Sequence, residues 1–402
     1  PDLQNLKVVH RENRAGWKGG ALNIALDVMD KRTSNVLVLD ADNILLAEDT
    51  VERFVSLFIE NQHLYKEKGI SLVAIQGFPI SKGNLEAGDE WVINGELSNW
   101  VSRAIDFRLS QRNMIEFAAK DLLDLPVQIT GSLFMIRADV IKSIKFSTDL
   151  CEDWELTLDV YCCSSRLPLS SSIDLMMTSN NTTQSISNPP SRKKIFSNND
   201  VVSSKPRIIF SQGLVSFCEA STDLVGYFRQ RMRVSEGHTR GLRRRVRYIS
   251  ESKTLSYAEK LELFLNGLQY AKFIFVLGIG ILDIFLILMF LLGSYNNNHQ
   301  LMNLFEISLS LQAANLATSI ALIIWAAKIC KPVRRYDIKD VLSLLALYVI
   351  TTPAFVIGSL RGLLRNKGTF YKTRRNLPKG SKLNTTSVPF GSTKMSRSYT
   401  GS

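Results

Sequence analysis

The chain has 402 residues, 45% hydrophobic and 21% charged, with a formal net charge of +12; that length holds a sizeable core plus an appendage. The five cysteines, Cys151, Cys162, Cys163, Cys218 and Cys330, form no CxxC pair and have no histidine cluster beside them, which argues against a zinc module and fits a reducing compartment. The basic excess accompanies no nucleic-acid-binding motif, so no nucleic-acid partner is expected.

Near the start, Lys7, Val8 and Val9 read as a short strand. A turn rich in Gly and Lys follows, from Arg14 to Gly20. Leu22, Ala25, Leu26 and Met29 then recur at helical spacing. The run Asn35 to Leu39 is continuously apolar after its first residue and closes on Asp40. Such a run suits a central parallel strand buried on both faces. Strand, helix and strand make a βαβ unit, so an α/β domain with a mostly parallel sheet is expected. Glu48 to Glu60 reads as a further helix and Ser71 to Gln76 as a further strand.

Residues 164–206 are crowded with Ser and Asn, carry Pro189 and Pro190, and read as a low-complexity insert. Arg207–Phe210 and Leu214–Phe217 resume strand character, and Leu224–Arg247 is helical and strongly basic. Leu255–Tyr270 is amphipathic and belongs at a membrane interface, with Leu261, Phe264, Leu265 and Leu268 on one side. Three apolar runs follow at 273–292, 307–327 and 341–364. Each reaches the roughly 20 residues that a helix needs to cross a bilayer. Asp283 lies inside the first run, and an intramembrane carboxylate hints at function.

The segment Ser294–Phe305 has no Lys or Arg, whereas Lys328–Lys339 is basic. The first therefore faces outward and the second inward, which leaves the domain before the spans cytoplasmic. Strict alternation then sends the basic tail outside, against the charge rule. A bend or re-entrant turn near Thr351, Thr352 and Pro353 would resolve the conflict. The expected division is 1–250 for the catalytic domain, 251–270 for the interface helix, 271–366 for the transmembrane region and 367–402 for a basic disordered tail. Membrane lipid is an expected partner.

Four groups of residues carry chemistry. Asp40 and Asp42 leave a strand end at i and i+2, on one side. Two such carboxylates repel unless a cation sits between them. A hard ion, Mg²⁺ or Mn²⁺, would take its remaining ligands from a diphosphate and water. Arg14, Gly16, Lys18, Gly19, Gly20 and Asn23 open a helix whose backbone N–H groups attract phosphate. Glu152 and Asp153 offer a general base, preceded by Thr130, Gly131 and Ser132. Gln230, Arg231 and Arg233 offer donors and cations for a leaving diphosphate. Each has a plainer reading: a polar turn, a glycine loop, an acidic helix start and a basic helix touching lipid headgroups.

Taken in order, these motifs followed by membrane spans resemble the family-2 glycosyltransferases, the group of cellulose, chitin and hyaluronan synthases. The resemblance covers about residues 5–375, broken by the Ser/Asn insert. It implies a GT-A catalytic fold and an inverting transfer from a nucleotide-sugar, by default a UDP-sugar, to a glycan or lipid-linked acceptor. By the same resemblance Asp40 and Asp42 hold nucleotide and metal, and Lys18 and Asn23 lie on the donor side. Gly131 and Ser132 lie near the acceptor. Asp153 is the base with Glu152 beside it, and Gln230 and Arg233 close over the donor. Lys372 and Thr373 resemble an element after the last span in relatives, which favours a cytoplasmic tail.

Three departures stand out. Val234 replaces the family's Trp, which bears on processive synthesis. The family's first strand would lie before Pro1, and the insert lengthens the path from Asp153 to Gln230. Two rivals remain at this stage. In a phosphatase of the haloacid dehalogenase type, Asp40 would be the nucleophile and Asp42 the acid, but Asn43 fits poorly there. A catalytically impaired, membrane-anchored family member would bind glycan or a partner without turnover.

Overall fold

The computed structural model describes residues 6–81, 99–162, 205–218, 221–292, 299–331, 333–366 and 368. The insert and the tail expected at 164–206 and 367–402 lie almost wholly outside the described residues.

Helix α1 (Trp17–Asp27) leads to strands β1 (Asn35–Val38) and β2 (Ile44–Leu45), helix α2 (Thr50–Glu67) and strand β3 (Ile70–Ser81). Helix α3 (Trp100–Gln111) continues through a π-helical turn, Arg112–Phe117, into α4 (Ala118–Leu122). Then come β4 (Phe134–Arg137), α5 (Ala138–Ile144), α6 (Glu152–Cys162) and β5 (Lys205–Cys218). Helices α7 (Leu224–Glu251) and α8 (Tyr257–Leu268) precede three long apolar helices: α9 (Lys272–Leu291), α10 (His299–Ile329) and α11 (Ile338–Leu364).

The five strands form one sheet in the order β1-β4-β3-β5-β2. Only β3 and β5 pair in parallel; the other three pairings are antiparallel. The expected mostly parallel pairing is therefore corrected. β1, β3 and β5 do run the same way, but β4 is wedged between β1 and β3 in the opposite sense. This reversal has a consequence for the site. An antiparallel strand starts where its neighbour ends, so the turn before β4 abuts the carboxyl end of β1.

Two further expectations change. Lys7–Val9 makes no strand, and Val8 is 85% exposed. β1 is consequently an edge strand of the described sheet rather than a central one. The centre belongs to β3, which is buried from Ser71 to Ser81. Side chains alternate across β4, as the strand period requires. Leu133 and Met135 pack with Phe54 and Phe58 of α2 on one face. Phe134 and Ile136 share the other face with Trp154 of α6.

Helices α9, α10 and α11 are all long and apolar enough to cross a membrane. They are not alike. Of the qualifying windows in α9 and α10, 6% is buried within the protein, against 44% of that in α11. Thr351, Phe355, Gly358, Ser359 and Gly362 lie on one face of α11 at helical spacing and are buried or lie against α7. The Ser235 hydroxyl donates to the Phe355 carbonyl at 2.8 Å. A β-carbon on Gly358 would stand 2.3 Å from the Met232 carbonyl, and one on Gly362 2.6 Å from that of Glu236. Glycine at these two positions lets α7 and α11 approach backbone to backbone. The opposite face of α11, with Leu342, Val349 and Leu360, is exposed and apolar.

The segment between α10 and α11 is fastened to α3. Tyr336 stacks on Phe107 with ring centroids 4.3 Å apart, and its hydroxyl donates to Asp106 at 2.8 Å. Arg103 pairs with Asp340 at 2.6 Å. On α8, Leu263 and Asn266 face the protein while Tyr257, Leu261, Leu265 and Leu268 are exposed. That outward apolar stripe has the form of an interface helix.

Candidate active site

Lys18 is the hub of the site. It sits in the first turn of α1, where Gly16 takes a left-handed φ of 68°. Its ammonium lies 2.6 Å from Asp40 Oδ1 at the end of β1 and donates to the Gly131 carbonyl, also at 2.6 Å. Glu152 Oε1 is 3.7 Å away at the start of α6. Burial alone would lower the Lys18 pKa. The charges of Asp40, Glu152 and Asp153 outweigh it and raise the pKa above the ordinary value. One cation thus joins three motifs that are far apart in sequence.

The glycines beside Lys18 serve packing. A β-carbon on Gly19 would stand 1.8 Å from the Ser147 carbonyl, and one on Gly20 2.3 Å from that of Ala15. Glycine at 19 lets α1 press against the segment leading into α6, and glycine at 20 lets the turn at Ala15 close on the start of α1. The expected phosphate-cradling role is not what these contacts require of the glycines.

The turn before β4 closes the other side. Gly131 and Leu133 both have positive φ, 84° and 52°, the second unusual for a branched residue. The Ser132 hydroxyl accepts from the Asp40 N–H at 2.8 Å and also bonds the Asn43 amide. Asn43 in turn accepts from the Ser216 hydroxyl at 3.1 Å. Ser132 therefore positions the Asp40–Asp42 turn, a role beyond its expected place near an acceptor. Asp42 lies half-buried on that turn.

Gln76 holds this turn, and the sequence reading missed it. Its side chain is fully buried and accepts from the Thr130 N–H at 2.9 Å. Its amide reaches the carbonyls of Gly77, Ser132 and Leu133. A glutamine inside an otherwise apolar strand was the available signal, because a buried amide demands partners.

Glu152 and Asp153 stand together at the start of α6. Burial, reinforced by the neighbouring Asp153 charge, pushes the Glu152 carboxyl up to about 7. Burial also raises Asp153, against hydrogen bonding from the Trp154 N–H and the charges of Lys18 and Arg233. A β-carbon on Gly131 would lie 3.2 Å from Asp153 Oδ2, so the absence of a side chain there leaves that oxygen approachable. Helix N-termini favour the ionised form, yet burial prevails here. Both carboxyls of the pair are therefore raised above their ordinary range.

Arg233 reaches the same place from α7, since its charge acts on both Glu152 and Asp153. Gln230 is half-buried one turn earlier on that helix. Ion pairs clamp α7 onto the α6 region. Arg240 pairs with Asp149 at 2.8 Å and Arg245 with Asp159 at 2.6 Å, while Glu236 one turn earlier on α7 also pairs with Arg240 at 3.0 Å. Val234 packs at the edge of the main core and its carbonyl meets the Cys151 thiol.

Asn23 has a different place from the one expected of a donor ligand. Its amide donates to the Phe146 carbonyl and its oxygen accepts from the Phe146 N–H, each at 2.8 Å. Both polar atoms are thereby used to pin α1 to the end of α5.

Among the described residues no group of three or more His, Cys, Asp or Glu side chains is placed to hold a metal by itself. The Asp40–Asp42 turn fits a narrower case, a hard ion that takes most of its ligands from diphosphate and water. Asp40 has Lys18 as its counter-ion. No family model matches this chain, and no curated protein matches it.

Proposed function

We propose that the chain is a membrane-attached inverting glycosyltransferase with a GT-A-type domain, using a nucleotide-sugar, by default a UDP-sugar, and a glycan or lipid-linked acceptor. The observation that carries this reading is the contact of Lys18 with Asp40, the Gly131 carbonyl and Glu152. It gathers the four motif groups, with Arg233 acting on the same carboxylates, around one cleft.

In this reading Asp42, assisted by Asp40, holds Mg²⁺ or Mn²⁺, which would neutralise diphosphate charge when bound. Asp153, with Glu152 sharing its burden of charge, takes the proton of the acceptor hydroxyl. The acceptor oxygen then bonds to the sugar's anomeric carbon from the face opposite the leaving group. The carbon–oxygen bond to the diphosphate breaks, and the electron pair leaves with the nucleoside diphosphate. Arg233 and Gln230 supply charge and hydrogen bonds to that leaving group. Lys18 restrains the base pair and the Asp40 turn in one geometry.

The membrane part is a hairpin of α9 and α10, with α11 lying docked on α7 instead of crossing alone. This arrangement returns the basic tail to the side of the catalytic domain, as the charge rule asks. Binding without turnover is the second reading, favoured by one observation: Lys18 already occupies an Asp40 oxygen.

The test is release of nucleoside diphosphate from UDP- and GDP-sugars by the detergent-purified chain with Mn²⁺ or Mg²⁺. Metal-dependent release with inversion at the anomeric carbon is expected. Metal-dependent binding with no release supports the second reading. Phosphate release from simple monoesters, with no sugar donor consumed, would overturn both.

A further inference from the structure

Asp283 lies near the middle of α9, in an apolar span of which only 6% is buried within the protein. Its carboxylate accepts from the Ser308 hydroxyl at 2.8 Å and from the Gln312 amide, both on α10. Both donors are neutral, so these bonds satisfy the oxygens without cancelling the charge. No cation pairs with Asp283 among the described residues. Lys272 opens α9 and Lys328 is the penultimate residue of α10; neither helix has another Lys or Arg. A carboxylate at mid-span is costly, and such residues ordinarily face a neighbouring helix or a water-filled cavity.

The polar character continues along α10. Ser308, Gln312, Asn315 and Ser319 follow one another at steps of four, three and four, the spacing of a seam between helices. Gln312 and Asn315 are exposed, and the Asn315 amide has no hydrogen-bond partner among the described residues. An amide turned towards hydrocarbon without a partner is unfavourable. On α9, Gly280 stands one turn before Asp283 and so on the same side. A β-carbon there would meet nothing within 4 Å. The space beside the carboxylate is therefore open.

We propose that α9 and α10 receive a third transmembrane helix, from a partner protein, which carries Lys or Arg near its middle and lays it against Asp283. Charge complementarity selects this occupant. A second copy of the chain would bring another carboxylate to this depth on its own α9, and no cation on α9 or α10. A single bound ion would answer the charge but leave Asn315 unpaired. The polar line from Ser308 to Ser319 runs about 16 Å along the helix, which suits the seam of a packed helix. Polar side chains bonding across helices hold such seams together in membranes. The surface uses none of the residues assigned to sugar transfer and stands whether or not the chain transfers sugar.

The test uses the full chain in lipid vesicles, labelled with a fluorescent donor, and two synthetic leucine–alanine transmembrane peptides labelled with an acceptor. One peptide has Lys at its central position and the other Leu. Energy transfer reads association. The Lys peptide is expected to associate about tenfold more tightly than the Leu peptide. Asp283→Asn keeps the shape of the side chain and can still bond Ser308 and Gln312; it should abolish the preference for Lys. Asn315→Leu should weaken the Lys peptide in part. Equal association of the two peptides, or a Lys preference that survives Asp283→Asn, would overturn the proposal. Transfer between differently labelled copies of the chain, lost in Asp283→Asn, would make the occupant a second copy and would also overturn it.

Discussion

The Lys18 ammonium lies 2.6 Å from Asp40 Oδ1 while donating to the Gly131 carbonyl, so a single side chain ties together the helix, strand and turn that meet there. Replacing it with methionine should leave stability nearly unchanged, because half-exposed ion pairs contribute about 0–1 kcal/mol. Transfer should suffer far more. We expect kcat/KM for the donor to fall by about 10²-fold or more, measured beside a melting curve in the same detergent. A large loss of stability with activity preserved would contradict the role assigned to Lys18.

The carboxylate pair gives a pH signature. Glu152 is pushed up to about 7 by burial and its neighbour, and Asp153 is raised as well. A base must be ionised, so activity should rise with pH as the raised Asp153 carboxyl loses its proton, and then level off. Stability should move the opposite way. The folded state keeps a proton that the unfolded chain gives up near 4.5, so this contribution is full below that value and lost as pH rises towards 7. Glu152→Gln should flatten the stability slope, which denaturant titration between pH 5 and 8 would show.

Gln76 accounts for the turn that presents Gly131 and Ser132. Gln76→Leu strips the Thr130 N–H and two carbonyls of a buried partner. The expected cost is about 2 kcal/mol, with activity reduced as the Asp40 turn loosens. Gly19→Ala should also destabilise, by roughly 1–3 kcal/mol, since its β-carbon would collide with the Ser147 carbonyl. Equilibrium unfolding of each variant checks both values.

Topology can be read from the tail. If, as proposed, α9 and α10 form a hairpin and α11 stays docked on α7, a tag after the described residues should share the side of the α/β domain. Protease protection in sealed vesicles decides this. Cleavage of the tag only after the membrane is opened, with the domain cleaved before, would make α11 a full span.

Periodicity made the helices legible, and α2, α7 and α8 fall close to where apolar spacing put them. Lys18, Asp40, Gly131, Glu152 and Arg233 were singled out as an ordered set by family resemblance, each being weak alone, and the fold brings Lys18 against Asp40, Gly131 and Glu152. Strand direction was not legible. The run ending at Asp40 looks the same whether its neighbour is parallel or antiparallel, and β4 is too short to declare its sense. Asn23 matched a motif by type, while only coordinates reveal that Phe146 takes both its polar atoms. Apolar length marked α11 as a span, but it cannot report that glycines 358 and 362 lie against α7.

The central claim is that Asp42 secures a nucleotide-sugar through a divalent ion while Asp153 serves the acceptor. The most direct measurement is binding of UDP- and GDP-sugars with and without Mn²⁺, in the wild type, Asp42→Ala and Asp153→Asn. We expect metal-dependent binding in the wild type, its loss in Asp42→Ala, and retained binding without turnover in Asp153→Asn. Binding that ignores both metal and Asp42, or full turnover by Asp153→Asn, would contradict it.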